Sequence, residues 1–317
     1  MKTFKHVNAK TLAEAQSALA GGKATLIAGG TDLLGTLKDN ILHPVYPETL
    51  INIKTIPGLD YIKEEGGMLK IGSTTRLADI ASNPVINKKY TALAQAASRV
   101  ATPHVRDMGT IGGNIAQLHR CWYFRKPENR FNCIRKGGKQ CFAMMGDNRY
   151  HSIFPPVNMC LAVNPGDLAP ALIALDAKIV TTARTIAAES FWDVKTPGNT
   201  VLAAGEIITG IQIPAPPAGA KSAFIKFAVR KSIDFPVVNA AVMVGGRAPR
   251  IALNAVAAKP YRAIKAEAAI AGKPINEATA EAAGLAAVED AKPLGSAMKY
   301  KVQIAKVMVK RALLAAV

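Results

Sequence analysis

No apolar run in this 317-residue chain is long enough to span a membrane. The opening residues, Met1 to Gln16, lack the apolar core of a secretion signal. Together these absences make the chain read as cytoplasmic, unless a partner carries it across a membrane. The glycine fingerprint G-x-G-x-x-G of dinucleotide-binding folds is missing. No nucleophile–base constellation and no histidine cluster stands out, so no catalytic residue is assigned. His104, His119 and His151 read as hydrogen-bonding or surface residues. Cysteine is scarce, with four in the chain, and no two are spaced C-x-x-C. That excludes a standard zinc ribbon and a bacterial ferredoxin run.

Acidic side chains are also few, 22 against 40 basic ones, for a net charge of +18. Nucleic acid is the generic partner of so basic a protein. However, the charge is spread along the whole chain, with no basic helix, zinc-finger spacing or arginine-rich tail. An acidic protein partner such as a small electron carrier fits equally well through electrostatic steering. Half of the residues are hydrophobic, so a core is assured. The length points to two domains.

What cysteine there is lies together. Cys121, Cys133, Cys141 and Cys160 share one short window, and the chain has no others. Four thiols in a reducing compartment favour metal ligation over disulfides, and free thiols packed as small hydrophobes are the plain alternative. The flanking sequence is Arg, Lys, Asn, Gly and Pro around a few aromatics, with little apolar surface of its own to hold it in shape. A centre bound by four thiolates would order it, and both zinc and an iron–sulfur cluster take four. Eight basic residues stand in the window (Arg120, Arg125, Lys126, Arg130, Arg135, Lys136, Lys139, Arg149) against Glu128 and Asp147. They read either as charge compensation for such a centre or as solvated charges and a docking face.

Two glycine loops are the other landmarks. Ala24–Ala28 reads as a buried strand running into Gly29, Gly30, Thr31 and Asp32, then Leu33. Gly109 to Asn114 forms the second loop, seven residues before Cys121. Successive glycine amides can face one side and let a phosphate touch the backbone. Two such loops, each with a threonine, suit two clamps on one phosphate-bearing ligand. Around them the pattern predicts helices over Thr11–Ala20, Thr75–Ala81 and Val85–Val100. It predicts strands over Thr49–Ile53, Met68–Gly72, Lys178–Thr182 and Ile207–Ile213, with Glu64 to Gly67 in or beside a turn. Asn164-Pro165-Gly166-Asp167 is turn chemistry, with Asp167 as a helix N-cap. Pro214 to Ala220, PAPPAGA, reads as a linker and domain boundary. Beyond it come strands over Ser222–Arg230, Ala240–Gly246 and Arg250–Ala257. Helices follow over Ala263–Ala271, Glu277–Glu289 and Ser296–Ala316, a small α+β domain.

These landmarks together resemble the flavoprotein (medium) subunit of the molybdenum hydroxylases, the xanthine dehydrogenase and carbon monoxide dehydrogenase group. The resemblance covers essentially the whole chain. Ala28-Gly29-Gly30-Thr31-Asp32-Leu33-Leu34 looks like the first FAD pyrophosphate loop of that family. Thr110-Ile111-Gly112-Gly113-Asn114-Ile115 looks like the second. Asn164 to Ala169 resembles the segment that brings an aspartate, here Asp167, to the flavin side. Lys259 to Ala263 and Tyr300 to Leu313 resemble the family's C-terminal domain. The implied fold class is α+β. Residues 1–217 would form a two-part FAD-binding domain of the PCMH/vanillyl-alcohol-oxidase type, with an insert at about 119–160. Residues 218–317 would form a domain of the CO dehydrogenase flavoprotein C-terminal type.

Most members of the family lack the cysteine-bearing insert. One branch places a [4Fe-4S] cluster there. It includes the β subunit of 4-hydroxybenzoyl-CoA reductase and the flavin subunit of periplasmic aldehyde oxidoreductases. By resemblance Cys121, Cys133, Cys141 and Cys160 are then cluster ligands and FAD is the second cofactor. The implied role is electron transfer beside a molybdenum-cofactor large subunit and a [2Fe-2S] small subunit, with an acidic carrier such as ferredoxin outside the complex. Nucleic acid and membrane insertion are not expected. Two other readings stay open. One is a self-sufficient FAD oxidoreductase with a structural zinc in the insert; the other is a basic zinc-binding nucleic-acid module without flavin.

Overall fold

The structure is a computed structural model and describes residues 1–41, 46–246 and 248–317. The chain opens with strand β1 (Lys5–Asn8), helix α1 (Leu12–Ala20), strand β2 (Ala24–Ile27), helix α2 (Leu33–Lys38) and strand β3 (Thr49–Asn52). The strands form a parallel sheet in the order β1-β3-β2. Parallel neighbours need a crossover; the one from β2 to β3 passes through α2. The first glycine turn therefore lies beyond the carboxyl end of β2, where open α/β sheets place ligands. Helix α1 starts where Thr11 accepts a hydrogen bond from the Glu14 amide at 3.1 Å.

A second unit begins with the hairpin β4 (Ile62–Glu65) and β5 (Met68–Gly72). Glu64 and Glu65, expected in or beside a turn, lie beside it as the last residues of β4, paired with Leu69 and Met68. The turn itself is Gly66 and Gly67, both left-handed at φ 60° and 71°. Helices α3 (Leu77–Ser82), α4 (Pro84–Lys89), α5 (Thr91–Ser98), α6 (Pro103–Met108) and α7 (Ile111–Ala116) follow. The single helix expected over Val85–Val100 is thus two, broken at Tyr90, whose φ and ψ of −124° and 49° are not helical. Periodicity could not reveal the break, because Ile86, Leu93 and Ala97 on either side all enter the same core. After the insert come helix α8 (Leu168–Ala174), strands β6 (Lys178–Thr181) and β7 (Thr185–Ala187), helix α9 (Ala188–Phe191) and strand β8 (Ile208–Pro214). The sheet order is β4-β5-β8-β6-β7, antiparallel throughout.

The last unit is an antiparallel sheet ordered β12-β11-β10-β9, from β9 (Lys221–Phe227), β10 (Val238–Val244), β11 (Arg250–Asn254) and β12 (Tyr261–Arg262). Helices α10 (Ile264–Ile270), α11 (Glu277–Ala286) and α12 (Ser296–Leu314) cover one face. The other face does not meet water. Phe224, Ala241 and Ala252 join the core built by α5, α8, β5 and β8. The PAPPAGA stretch therefore connects two units that share apolar packing. Its first proline ends β8, and the Ala215 amide bonds the Gly67 carbonyl at 2.9 Å. None of the described helices is long and apolar enough to cross a membrane.

Candidate functional site

The two glycine segments meet. A Cβ at Gly29 would fall 2.0 Å from the Met108 carbonyl oxygen and 3.0 Å from the Gly109 Cα, so only hydrogen fits. Gly30 sits at φ 70°, the left-handed region that favours glycine. Gly109 to Asn114, expected as a loop, enters the first turn of α7. Thr110 is its N-cap and accepts from the Gly113 amide at 3.3 Å. Gly112 lies where a Cβ would be 2.8 Å from the Ser73 carbonyl. The Gly112 amide bonds that carbonyl at 2.9 Å, and the Ile111 amide bonds Thr75 O at 3.0 Å. The glycines thus let three backbones lie together: the β2 turn, the α6–α7 junction and the end of β5. At the mouth Thr31 and Gly113 are exposed. Ser73 Oγ and Asn114 Oδ1 are buried without a protein partner, free for a ligand's polar groups. A backbone cradle with unspent polar atoms fits a nucleotide cofactor such as FAD.

Asp32 has a definite protein role. Oδ2 accepts from the Leu118 amide at 3.0 Å, and Oδ1 pairs with Arg120 at 2.9 Å and Arg125 at 2.8 Å. It locks the first glycine turn to the start of the insert. Asp167 occupies the N-cap position of α8, but its side chain makes no cap hydrogen bond. Instead it reaches the C-terminal sheet, to Lys226 at 2.7 Å and Asn239 at 2.8 Å, with both members of the ion pair buried. Burial pushes its carboxyl up and Lys226 opposes that. The expected capping role is replaced because a buried ammonium is the stronger partner for a carboxylate than amides. Lys226 is 59 residues away in sequence, and nothing in the local pattern announces it.

The insert folds without regular helix or strand beyond three single 3-10 turns, at Pro127–Asn129, Ile134–Lys136 and Phe142–Met144. It does have a small core of its own, against the expectation from its polarity. Tyr123, Phe131 and Phe142 pack ring to ring at 5.0–6.3 Å, and Phe124 lies 4.1 Å from His119. The four thiols are free. Three of them fall in two adjoining clusters that share Cys121, one containing Cys133 and the other Cys160. Cys141 is close enough to interact electrostatically with Cys133 and Cys160. Among the described residues no three His, Cys, Asp or Glu side chains are gathered as a metal site. Burial pushes the Cys121 thiol up to about 12, so it is neutral at pH 7 unless a cation replaces its proton.

Cys160 is approached by two donors and Cys121 by an imidazole nitrogen. Cys160 Sγ accepts from the Ala162 amide at 3.4 Å and lies 3.7 Å from Arg135 Nη1. His151 Nε2 is 3.2 Å from Cys121 Sγ. Of the basic residues in the window, Lys126, Arg130, Lys139 and Arg149 are exposed, and Arg120 and Arg125 serve Asp32. Arg135 is 3% exposed, and none of its partners is a carboxylate. Lys136 Nζ is buried over the Phe124 ring at 5.0 Å without a hydrogen bond. Both nitrogens of His119 are buried and unpartnered; burial, then Arg135, holds its pKa well below the usual histidine value. His104 is exposed. Of the three histidines, His104 and His151 match the expectation of surface and hydrogen-bonding roles. His119 does not. Arg135 beside Cys160 and Lys136 beside Cys133 thus bring buried positive charge with no carboxylate partner to the sulfurs, a chemistry that fits thiolate ligands.

Residues 2–216 match the family described as FAD binding domain in molybdopterin dehydrogenase. Residues 223–316 match the CO dehydrogenase flavoprotein C-terminal domain. The aldehyde oxidoreductase FAD-binding subunit PaoB of Escherichia coli is 35% identical over 279 residues, 84% of this chain and 86% of that one. The carbon monoxide dehydrogenase medium chain of Hydrogenophaga pseudoflava is 32% identical over an alignment of 328, covering 99% and 96%. The solved carbon monoxide dehydrogenase of the latter organism superposes with a TM-score of 0.76 at 31% identity, over 99% of this chain and 97% of that one. With the shared α+β architecture and the paired glycine turns, these matches establish that the chain belongs to the flavoprotein, or medium-subunit, family of the molybdopterin dehydrogenases and is an FAD-dependent oxidoreductase subunit.

Proposed function

We propose that this chain is the electron-transfer flavoprotein subunit of a molybdenum-containing hydroxylase, dehydrogenase or reductase complex. In this reading FAD is held by Ala28, Gly29, Gly30, Thr31, Asp32 and Leu33 of the first turn and by Thr110, Gly112, Gly113 and Asn114 of the second, with Asp167 on the flavin side. Cys121, Cys133, Cys141 and Cys160 hold a [4Fe-4S] cluster. When bound, FAD supplies exchange between one- and two-electron steps and the cluster supplies one-electron steps. The domain boundary lies at Pro214–Ala220, between β8 and β9. A molybdenum-cofactor large subunit and a [2Fe-2S] small subunit are the partners, a reading supported by the relatives named as subunits or medium chains of aldehyde and carbon monoxide oxidoreductases.

The protein's own contribution is positioning. The backbone turns admit a pyrophosphate without side-chain interference, and Asp32 couples them to the insert through Arg120 and Arg125. Cys121 borders a cleft of about 480 Å³ lined also by Trp122, Tyr150, Val229 and Phe235, which leads from the insert to the surface. Exposed Lys126, Arg130 and Lys139 lie on the same insert. They suit an acidic one-electron carrier such as ferredoxin, with association that weakens as salt rises.

The observation that carries the cluster is the buried, carboxylate-free Arg135 beside Cys160. A structural zinc on the same thiols, in a self-sufficient FAD oxidoreductase, is the second reading. His151 beside Cys121 favours it, because imidazole is an ordinary zinc ligand. An absorption spectrum of anaerobically purified protein with iron, sulfide and zinc analysis separates the two. Flavin bands over a broad iron–sulfur shoulder are expected; flavin with zinc and no iron overturns the cluster.

A further inference from the structure

We propose that Arg135 is a positioning residue, the fixed counter-charge that sets the reduction potential of the thiolate centre and ties it to the second glycine turn. The inference rests on the four-thiolate reading above. The guanidinium is held from two sides. Nε donates to Lys195 O at 2.7 Å, and Nη2 donates to Gly198 O at 2.5 Å and to Asn199 Oδ1. The planar fork then has one direction left for Nη1, and Cys160 Sγ lies there at 3.7 Å. A neutral donor would satisfy the same carbonyls without the cost of burying a charge. The charge is explained by an anion on the sulfur side. Lys136, whose Nζ is also buried in the insert, is not held in this way, since it makes no hydrogen bond.

The same arrangement reaches the flavin side. Asn199, which accepts from Arg135, donates through Nδ2 to Gln117 O at 3.0 Å. Gln117 Nε2 donates to Asn114 O at 2.9 Å, in the second glycine turn. A continuous chain of hydrogen bonds thus runs from Cys160 to Asn114 through Arg135, Asn199 and Gln117. Adding an electron to a thiolate-bound iron centre makes it more negative. A positive charge fixed beside one ligand stabilises that reduced form and raises the potential.

The test is the midpoint potential of the centre, followed by low-temperature paramagnetic resonance on anaerobically purified full chain with any co-purifying subunits, alongside FAD and iron content. Arg135→Gln removes the charge. Asn199→Asp neutralises it in place, so a folding failure of the first leaves the second to decide. Each is expected to lower the potential by about 59 mV, a tenfold change in the reduced-to-oxidised ratio of a one-electron couple. Arg135→Lys should recover most of that shift, and Lys139→Gln, on the exposed part of the insert, should leave the potential unchanged. Loss of iron with FAD retained in both Arg135→Gln and Asn199→Asp also supports the proposal, since the centre then needs the charge to assemble. A wild-type potential in either variant that keeps its cluster overturns it. Wild-type protein without iron overturns the four-thiolate reading instead, before any variant is made.

Discussion

Gly29 and Met108 stand so close that a methyl group on the glycine would be 2.0 Å from the methionine carbonyl oxygen. That contact joins the two glycine turns and separates two roles for their glycines. Gly29→Ala must push the turns apart. It should cost about 1–3 kcal/mol in denaturant unfolding, as overpacking does, and release FAD. Gly113 is exposed, and its Cβ would meet only the Thr110 hydroxyl, at 3.1 Å. Gly113→Val should fold yet fail to retain FAD, because the branched side chain fills the cradle. Stoichiometric FAD in folded Gly113→Val would remove that turn from the pyrophosphate site.

Asp32 neutralises two guanidiniums that would otherwise face each other. Burial, then Arg125, pushes Arg120 down to about 10, and Asp32 opposes this. Asp32→Asn should destabilise the protein by about 1–3 kcal/mol, less than a fully buried pair because all three side chains keep some exposure. Limited proteolysis should then cut first within the insert. A wild-type cleavage pattern would show that the Asp32 anchor does not hold it.

The Asp167–Lys226 pair spans the two parts of the fold at 2.7 Å, with side-chain exposures of 4% and 3%. Asp167→Ala leaves a buried ammonium unpaired and should cost about 3–5 kcal/mol. Lys226→Met in the same chain should recover much of that loss. Additive effects in the double-mutant cycle would mean the pair is not coupled.

Lys301 lies in α12, 1% exposed, and donates to the carbonyls of Tyr150 at 3.1 Å and His151 at 2.8 Å. Burial pushes it down to about 7 from the usual 10.5. Between those values the unfolded chain binds one more proton than the folded chain. Stability therefore rises with pH across that window, and the full cost of the buried ammonium applies below pH 7. Lys301→Met should remove this part of the pH dependence. Equal slopes of unfolding free energy against pH in the two proteins would place the Lys301 titration elsewhere.

Cys133→Ser or Cys141→Ser should abolish the iron–sulfur signal while FAD stays bound, because the glycine turns lie outside the insert. Electron exchange with a low-potential one-electron carrier should fall with it. A full cluster signal in both variants would return the cysteines to the role of buried thiols.

Local chemistry was enough to read the parts of this protein that depend on neighbours in sequence. The helix expected from Thr11 is α1, the strand before Gly29 ends in a turn that needs glycine at φ 70° in Gly30, and the C-terminal strands and helices follow from their apolar periods. The gathering of all four cysteines beyond the second glycine turn was visible in the same way. Tertiary structure decided what depended on distant partners. Tyr90 breaks a helix whose periodicity runs on, because both halves feed one core. Asp167 leaves its cap for Lys226, and Arg135 leaves the solvated face for Cys160, because a buried charge takes the opposite charge or the acceptors that the fold brings to it. Those partners are 59 and 25 residues away, farther than any local pattern reaches.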